Sequence, residues 1–341
     1  MRLPDWIKAG HLGGLHRTKR ILREYGVTTV CEEARCPNAG KCFSKPTAAF
    51  MILGAKCTRH CGFCAIESSP PDTPDRGEPV RVALVAREMR LRHVVITSVT
   101  RDDLHDGGAG HFAETVASIR EYLPDAGIEV LTPDFQGNLG SLDTVLQSQP
   151  DVYNHNIETV QGLYLSVRPL ADYRRSLKIL EYAKCRAPQI STKSGFMLGL
   201  GETPDEIIST LRDLRDVGCD IITMGQYLRP ARANLPVSKY ISPDFFEQLR
   251  ITALSMGFNY AASGPLVRSS MNAEEMYNNN TAQNRFADRC KHTGSPAFTT
   301  RLIREAGDAM SPGIVVGETV ITSQELLLKN TGTEQDRPRK G

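Results

Sequence analysis

This chain of 341 residues predicts an α/β fold, a partial (βα)6 TIM-like barrel left open along one side. Three observations lead there. From about residue 46 to 275, short apolar runs alternate with amphipathic stretches in about six strand-helix units, the rhythm of parallel strands joined by right-handed helical crossovers. Glycines and charged residues gather just after the predicted strands, where the loops of such a barrel hold unusual side chains. No repeat period suggests a solenoid. Six units are too few to close an eight-fold barrel. Residues 1–45 form an N-terminal extension, and 276–341 a C-terminal one.

The elements follow in order. Residues 1–30 read as a short polar arm and a helix, with Leu15, Ile21 and Leu22 apolar among Arg17, Lys19, Arg20 and Arg23, a solvated basic face. Ala48 to Leu53 is a buried strand ending at Gly54. Pro70, Pro71 and Pro74 make an extended exit, Val80 to Arg92 a helix and Val94 to Val99 a strand. Helix Ala109 to Tyr122, strand Gly127 to Leu131, helix Leu139 to Ser148 and strand Asp151 to Asn156 come next. Asp172 to Cys185 is a helix, and Thr192 to Leu198 a strand. Pro204 suits a helix start because its missing amide hydrogen is tolerated there, and that helix ends near Gly218 before strand Asp220 to Met224. Ser242 caps a helix running to Met256, with Phe258 to Ala262 the last strand. Beyond the barrel, Thr299 to Ala306 reads as a helix, Gly313 to Thr322 as a strand or hairpin, and the charged, proline-bearing end as disordered.

Lys and Arg number 41 against 39 acidic residues, a balance that argues against general nucleic-acid binding. No apolar run is long enough to cross a bilayer and the N-terminus does not begin a signal peptide, so a cytoplasmic location is expected. Six of the nine cysteines fall between Cys31 and Cys64. A secreted disulfide framework would spread an even number along a shorter chain, whereas crowding at one end fits metal binding in a reducing compartment. Cys185, Cys219 and Cys290 read as ordinary buried thiols.

Cys57, Cys61 and Cys64 are spaced Cys-x3-Cys-x2-Cys. Three thiolates hold one face of a metal centre and leave a position open, unlike a closed zinc site, which draws a fourth ligand from nearby; His60, between two thiols, would strain a shared tetrahedron. This is the signature of a radical S-adenosylmethionine (SAM) enzyme, in which the open iron of a 4Fe-4S cluster is chelated by SAM and a 5′-deoxyadenosyl radical is released. Phe63 beside the last thiol suits the cover of a cluster and an adenine face. Gly195, Gly199 and Glu202 match the Gly-x-Ile-x-Gly-x-x-Glu element placed along the adenine in that superfamily, with Met197 for Ile. Asn154 and its neighbours through Glu158 are polar where a buried strand stays apolar, and so are candidates for SAM, although a satisfied core histidine is a rival reading for His155. The charged turn Arg101 to Gly108 reads equally as a ligand loop or a solvated one. Upstream, Cys31, Cys36 and Cys42 repeat the theme as Cys-x4-Cys-x5-Cys, again one ligand short, and Arg268-Ser269-Ser270 brings hydroxyls late in the chain.

Both triplets, with Arg268-Ser269-Ser270, closely resemble lipoyl synthase from about Leu3 to Glu275. Supporting stretches include Arg101-Asp102-Asp103, Lys193-Ser194-Gly195 and Gly225-Gln226-Tyr227-Leu228. The resemblance implies a radical SAM barrel with two 4Fe-4S clusters that inserts two sulfur atoms, at carbon 6 and carbon 8, into an octanoyl chain on a lipoyl carrier domain. Cys57, Cys61 and Cys64 would hold the SAM cluster. Cys31, Cys36 and Cys42, with Ser270 rather than Ser269 as fourth ligand, would hold the auxiliary cluster that donates sulfur. Implied partners are octanoylated carriers of 2-oxoacid dehydrogenases or of glycine cleavage, and a ferredoxin or flavodoxin reductant, without nucleic acid or membrane. Met271 stands where the family usually has tyrosine, which removes a hydrogen-bonding group.

Other readings remain at the level of sequence. A biotin synthase-like enzyme would take its second cluster's ligands from within the barrel, and a methylthiotransferase would add a nucleic-acid-binding domain. A non-catalytic iron-sulfur or zinc protein would have no use for Gly195 to Glu202.

Overall fold

The computed structural model describes residues 3–7, 15–44 and 48–271, together with 273 and 275. The expectations for Thr299 to Ala306, Gly313 to Thr322 and the C-terminal end lie outside these residues.

Helix α1 (Leu15–Tyr25) leads into β1 (Thr28–Thr29) and two short helices, α2 (Val30–Glu33) and α3 (Ala39–Ser44). The barrel proper then runs β2 (Ala49–Ile52), a two-stranded ribbon of β3 (Lys56–Cys57) and β4 (Glu67–Ser68), α4 (Glu78–Glu88), β5 (His93–Ser98), α5 (Ala109–Tyr122) and β6 (Gly127–Leu131). It continues with α6 (Leu139–Gln147), β7 (Val152–Asn154), α7 (Tyr164–Val167), α8 (Tyr173–Arg186), β8 (Ser191–Leu198), α9 (Pro204–Asp216), β9 (Ile221–Gln226), α10 (Pro243–Ser255) and β10 (Tyr260–Gly264). The eight-stranded sheet has the order β1-β2-β5-β6-β7-β8-β9-β10. Only the β1 pairing is antiparallel. The first and last strands do not pair, so the barrel is open, as the number of units requires.

Strand β2 is buried along its whole length, as a strand covered on both faces must be. Helix α4 starts and ends earlier than its apolar pattern suggests. Pro79 lies in its first turn and Arg90 turns left-handed at φ 55, which closes it. Thr203 and Glu206 form a reciprocal capping box at the start of α9. Strand β7 ends at Asn154, two residues short of the expected Asn156, and the chain regains the sheet only at the Glu158 to Phe196 bridge. Cys219 is fully buried, but Cys185 is exposed. It lies two residues past the buried Ala183, on the outer side of α8, which corrects its reading as a core thiol. Cys290 lies outside the described residues.

The lumen is polar. Side chains of alternate strand residues share a face, and the register aligns Asn154 with Lys193, Lys193 with Ile221, and Gly195 with Thr223. Lys193, Glu129 and Asn154 are all fully buried. Lys193 Nζ donates to both Glu129 oxygens at 2.9 Å, and Asn154 Nδ2 donates to Glu129 Oε1 at 2.8 Å. His93 Nε2 stands 3.8 Å from the same carboxylate. Burial by itself would raise the Glu129 pKa, but Lys193 and His93 outweigh it and hold the carboxyl at about 2.

A carboxyl held below its unfolded value near about 4.3 contributes stability above that value and loses it as pH falls through the folded one. The urea midpoint of the protein is therefore expected to drop between about pH 4 and pH 2, and Glu129→Gln to flatten this part of the curve. An unchanged slope in Glu129→Gln would mean that other carboxylates carry the acid sensitivity.

Candidate metal and cofactor site

The loop of Cys57, Cys61 and Cys64 lies over the carboxyl ends of the strands, fastened from four sides. The Cys57 sulfur accepts from the Arg59 and Thr100 amides at 3.4 and 3.3 Å. Thr58 is tied to Thr100, its amide and hydroxyl donating to the Thr100 carbonyl. Arg59, nearly buried, reaches past both: Nε and Nη2 donate to Asp102 at 2.7 and 2.9 Å, and Nη2 to Asp134 at 2.6 Å. Across the mouth, the Gly62 amide donates to Val167, Leu235 donates to the Gly62 carbonyl, and Asn234 Nδ2 reaches the Cys64 carbonyl at 2.7 Å. A methyl at Gly62 would stand 2.8 Å from the Leu235 side chain, which would have to shift. Although burial opposes it, the Arg59 hydrogen bond and charge keep Asp134 ionised, at about 2. His60 is exposed, as expected of a residue outside the ligand set, and Phe63 is half-buried.

The charged turn after β5 is structural as well as close to the site. Arg101 is buried and binds Asp103 and the Leu53 carbonyl. Beside it, a cleft of about 450 Å³ is lined by Asp102, His105, Phe135 and Gln136.

The upstream triplet is assembled from short pieces. Cys31 is buried in α2, Cys36 follows in a turn, and Cys42 lies in α3. Asn38 joins this group to the far end of the chain. Its Nδ2 donates to the Leu266 carbonyl at 2.6 Å and to the Met271 sulfur at 3.3 Å. Met271, expected to bring no hydrogen-bonding group, thus accepts one through sulfur. Arg268 lies near enough to Cys36 for the thiol's charge to oppose the lowering of its pKa by burial. Ser269 is committed, its hydroxyl accepting from Asn156 Nδ2 at 3.3 Å and its carbonyl from Lys193 Nζ at 2.6 Å. The Ser270 hydroxyl has no hydrogen-bond partner among the described residues.

Burial pushes the Cys31 and Cys64 thiols up to about 12 and raises Cys61 too. Such thiols stay protonated at neutral pH unless a metal displaces the proton. Among the described residues, no three His, Cys, Asp or Glu side chains close around one point as the ligands of a single ion would. The thiols are nonetheless near enough for charge on Cys57 and Cys61 to raise Cys64. Three soft sulfur donors from one loop fit a cluster held by cysteine thiolates.

A cavity of about 90 Å³ is lined among others by Asn156, Glu158, Gly195, Met197, Gly225 and Arg268. Asn156 Oδ1 and, nearby, Arg168 Nε are buried without partners, as groups that await a polar ligand are. Burial also raises the Glu158 pKa, with Arg168 opposing. Of the residues expected on SAM, Gly195 lines this cavity. Asn154 lies one layer deeper on Glu129, and Asn156 lines the cavity. Gly199 and Glu202 do not line it: the Glu202 carboxylate accepts from the amides of Gly199, Leu200 and Gly201, while a methyl at Gly199 would strike Gln226 and the Lys239 carbonyl. The glycines serve close packing between loops in addition to any ligand; beside Gly195, the Thr223 hydroxyl fills the space of a methyl. His155 is a satisfied core histidine. Nδ1 donates to the Thr132 carbonyl at 2.9 Å, Nε2 pairs with Ser176, and burial lowers its pKa to about 4.

Residues 51–214 match the Radical SAM superfamily. The chain is 50% identical over 275 residues to the lipoyl synthase of Caldanaerobacter subterraneus subsp. tengcongensis, covering 80% of this chain and 96% of that one. It is 54% identical over 277 residues to the lipoyl synthase of Thiobacillus denitrificans, covering 80% and 89%. Among solved structures, methylornithine synthase (PylB) aligns at a TM-score of 0.47 and 15% identity over 72% of this chain and 73% of that one, too distant to inform function.

Removing Arg59 would leave the buried Asp134 carboxylate with Arg175 as its one remaining cation among the described residues, at 3.2 Å, and take the guanidinium from the partly exposed Asp102. Arg59→Met is expected to lower the stability of the iron-free protein by about 3–5 kcal/mol, measured by urea unfolding. A loss under about 1 kcal/mol, the range of an exposed pair, would mean that the clamp does not hold the loop.

Proposed function

The chain belongs to the lipoyl synthase family, and we propose from this that it inserts sulfur at carbon 6 and carbon 8 of an octanoyl chain carried on a lipoyl domain. The target carbons bear no activating group, so a general base or a nucleophile has no purchase on their hydrogens. When bound, SAM with its cluster supplies hydrogen abstraction, and a second cluster supplies the sulfur. The chain's task is to hold these groups and to keep water away from them.

In this reading Cys57, Cys61 and Cys64 hold the SAM cluster. Phe63 stands beside it, and Gly195, Asn156 and Glu158 face SAM from the lumen. Asn154, Gly199 and Glu202 contribute by shaping the wall and loop behind them. Cys31, Cys36 and Cys42 hold the auxiliary 4Fe-4S cluster, with Ser270 as its fourth ligand. The observation that carries this division is the Asn38 bridge, which fastens the upstream triplet to the Arg268-Ser269-Ser270 turn across more than two hundred residues of sequence. The freedom of the Ser270 hydroxyl, beside a committed Ser269, favours Ser270 as ligand. An oxygen donor binds iron less firmly than thiolate, which suits an iron that must leave as sulfide is given up.

The substrate domains belong to 2-oxoacid dehydrogenases or the glycine cleavage carrier, and the electrons come from a ferredoxin or flavodoxin. The enzyme works in the cytoplasm; no described helix is long and apolar enough to cross a membrane. Residues 1–45, 46–275 and 276–341 are the auxiliary-cluster segment, the barrel and an extension to which no role is given.

Anaerobically reconstituted protein, given SAM, a reductant and an octanoylated carrier peptide, is expected to yield lipoyl peptide by mass. Ser270→Ala and Cys31→Ala are expected to abolish it while 5′-deoxyadenosine still forms. Deoxyadenosine without sulfur insertion in the unaltered protein would point to a different radical SAM substrate.

A further inference from the structure

The lumen carries a charged pair that the proposed chemistry leaves unused. Lys193 and Glu129 are fully buried, far below the surface where lysine is at home. A buried ion pair is seldom retained for stability, since apolar residues of similar volume often do as well or better. An ammonium has three donors, and all three are assigned here: two to the Glu129 carboxylate at 2.9 Å, and one to the Ser269 carbonyl at 2.6 Å. The pair therefore places one charged, directed donor under a turn that arrives 76 residues later in the chain.

That turn is held on two sides. From the lumen, Lys193 takes the Ser269 carbonyl and Asn156 the Ser269 hydroxyl. From the cysteine side, Asn38 takes the Leu266 carbonyl and the Met271 sulfur. Ser270 lies between these attachments, with its own hydroxyl free. A thiolate keeps its place by bond strength. A weak oxygen donor depends on how its backbone is set, so supporting contacts matter most there.

We propose that Lys193, locked in place by Glu129, is a positioning residue for the auxiliary site: its grip on the Ser269 carbonyl sets the direction in which the Ser270 hydroxyl faces Cys31, Cys36 and Cys42. The proposal rests on the reading of Ser270 as fourth ligand. Asn154, donating to the same Glu129 oxygen as Lys193, steadies the carboxylate from the neighbouring strand.

The test compares the unaltered full-length protein with Lys193→Met and with Lys193→Met/Glu129→Gln, which leaves no unpaired buried charge. Each is reconstituted anaerobically, and the loss of iron from each cluster to a chelator is followed by Mössbauer spectroscopy without substrate. The double variant is expected to lose auxiliary-cluster iron about 10- to 100-fold faster, with iron at Cys57, Cys61 and Cys64 lost at the unaltered rate. Adding Ser270→Ala to it is expected to bring little further change, because both act through one bond. With substrate, lipoyl product per deoxyadenosine is expected to fall about 10-fold or more. Auxiliary iron held as firmly as in the unaltered protein, equal loosening of both clusters, or a full additional effect of Ser270→Ala would each overturn the proposal. Unaltered protein that makes no lipoyl product while these iron ratios hold would sink the activity reading and support this one.

Discussion

A charge inside a barrel can persist only if it is paired, and the pairing of Glu129 with Lys193 is the condition on which this lumen rests. Strands β6, β7 and β8 meet there through Glu129, Asn154 and Lys193, and His93 of β5 stands beside the same carboxylate. An ordinary barrel fills this volume with branched apolar side chains in layers. Here a polar layer takes their place, and its hydrogen bonds fix the relative height of the strands more tightly than interchangeable methyl groups would. The cavity above it, and the serine turn that closes one side, inherit that register.

A second pattern of charge performs a similar service at the mouth. Arg59 lies within the cysteine loop yet finds its partners after β5 and β6, at Asp102 and Asp134. Arg175 of α8 joins Asp134 at 3.2 Å. If the three thiols hold a cluster as proposed, their loop cannot be shaped by its ligands alone before the metal arrives. It is shaped instead by a guanidinium whose fork fits two carboxylates, and by backbone bonds from Val167 and Leu235. Preorganisation of this kind leaves the metal less chain to order when it binds, which matters where buried thiols must also give up protons.

Much of the site was legible because cysteine spacing is a local property. Cys57, Cys61 and Cys64 lie close in sequence and so close in space, and the same holds for the upstream triplet. The polar stretch after β7 was legible too, but the structure alone shows that Asn156 lines the cavity while Asn154 lies deeper, on Glu129. Asn154 and Asn156 share a face of an extended chain, and sequence alone does not say which lies beside the cavity. Glu202 has a structural use that its spacing did not show. A glycine-rich turn ending in glutamate reads as a ligand loop, whereas its carboxylate serves the turn's own amides. Cys185 was misread because thiols are usually buried, although the helix turns this one outward.

By itself the sequence determined the strand-helix rhythm, the open barrel, the two cysteine triplets and the family, since each depends on periodicity or spacing within short segments. Only the tertiary structure decided which late residues meet which early ones. Asn38 on Leu266 and Met271, Lys193 under Ser269, and Arg59 between Asp102 and Asp134 join positions from tens to hundreds of residues apart. No local pattern encodes such pairs, because a buried donor selects whichever acceptor the packed strands bring to it, and that is known only once the strands have packed.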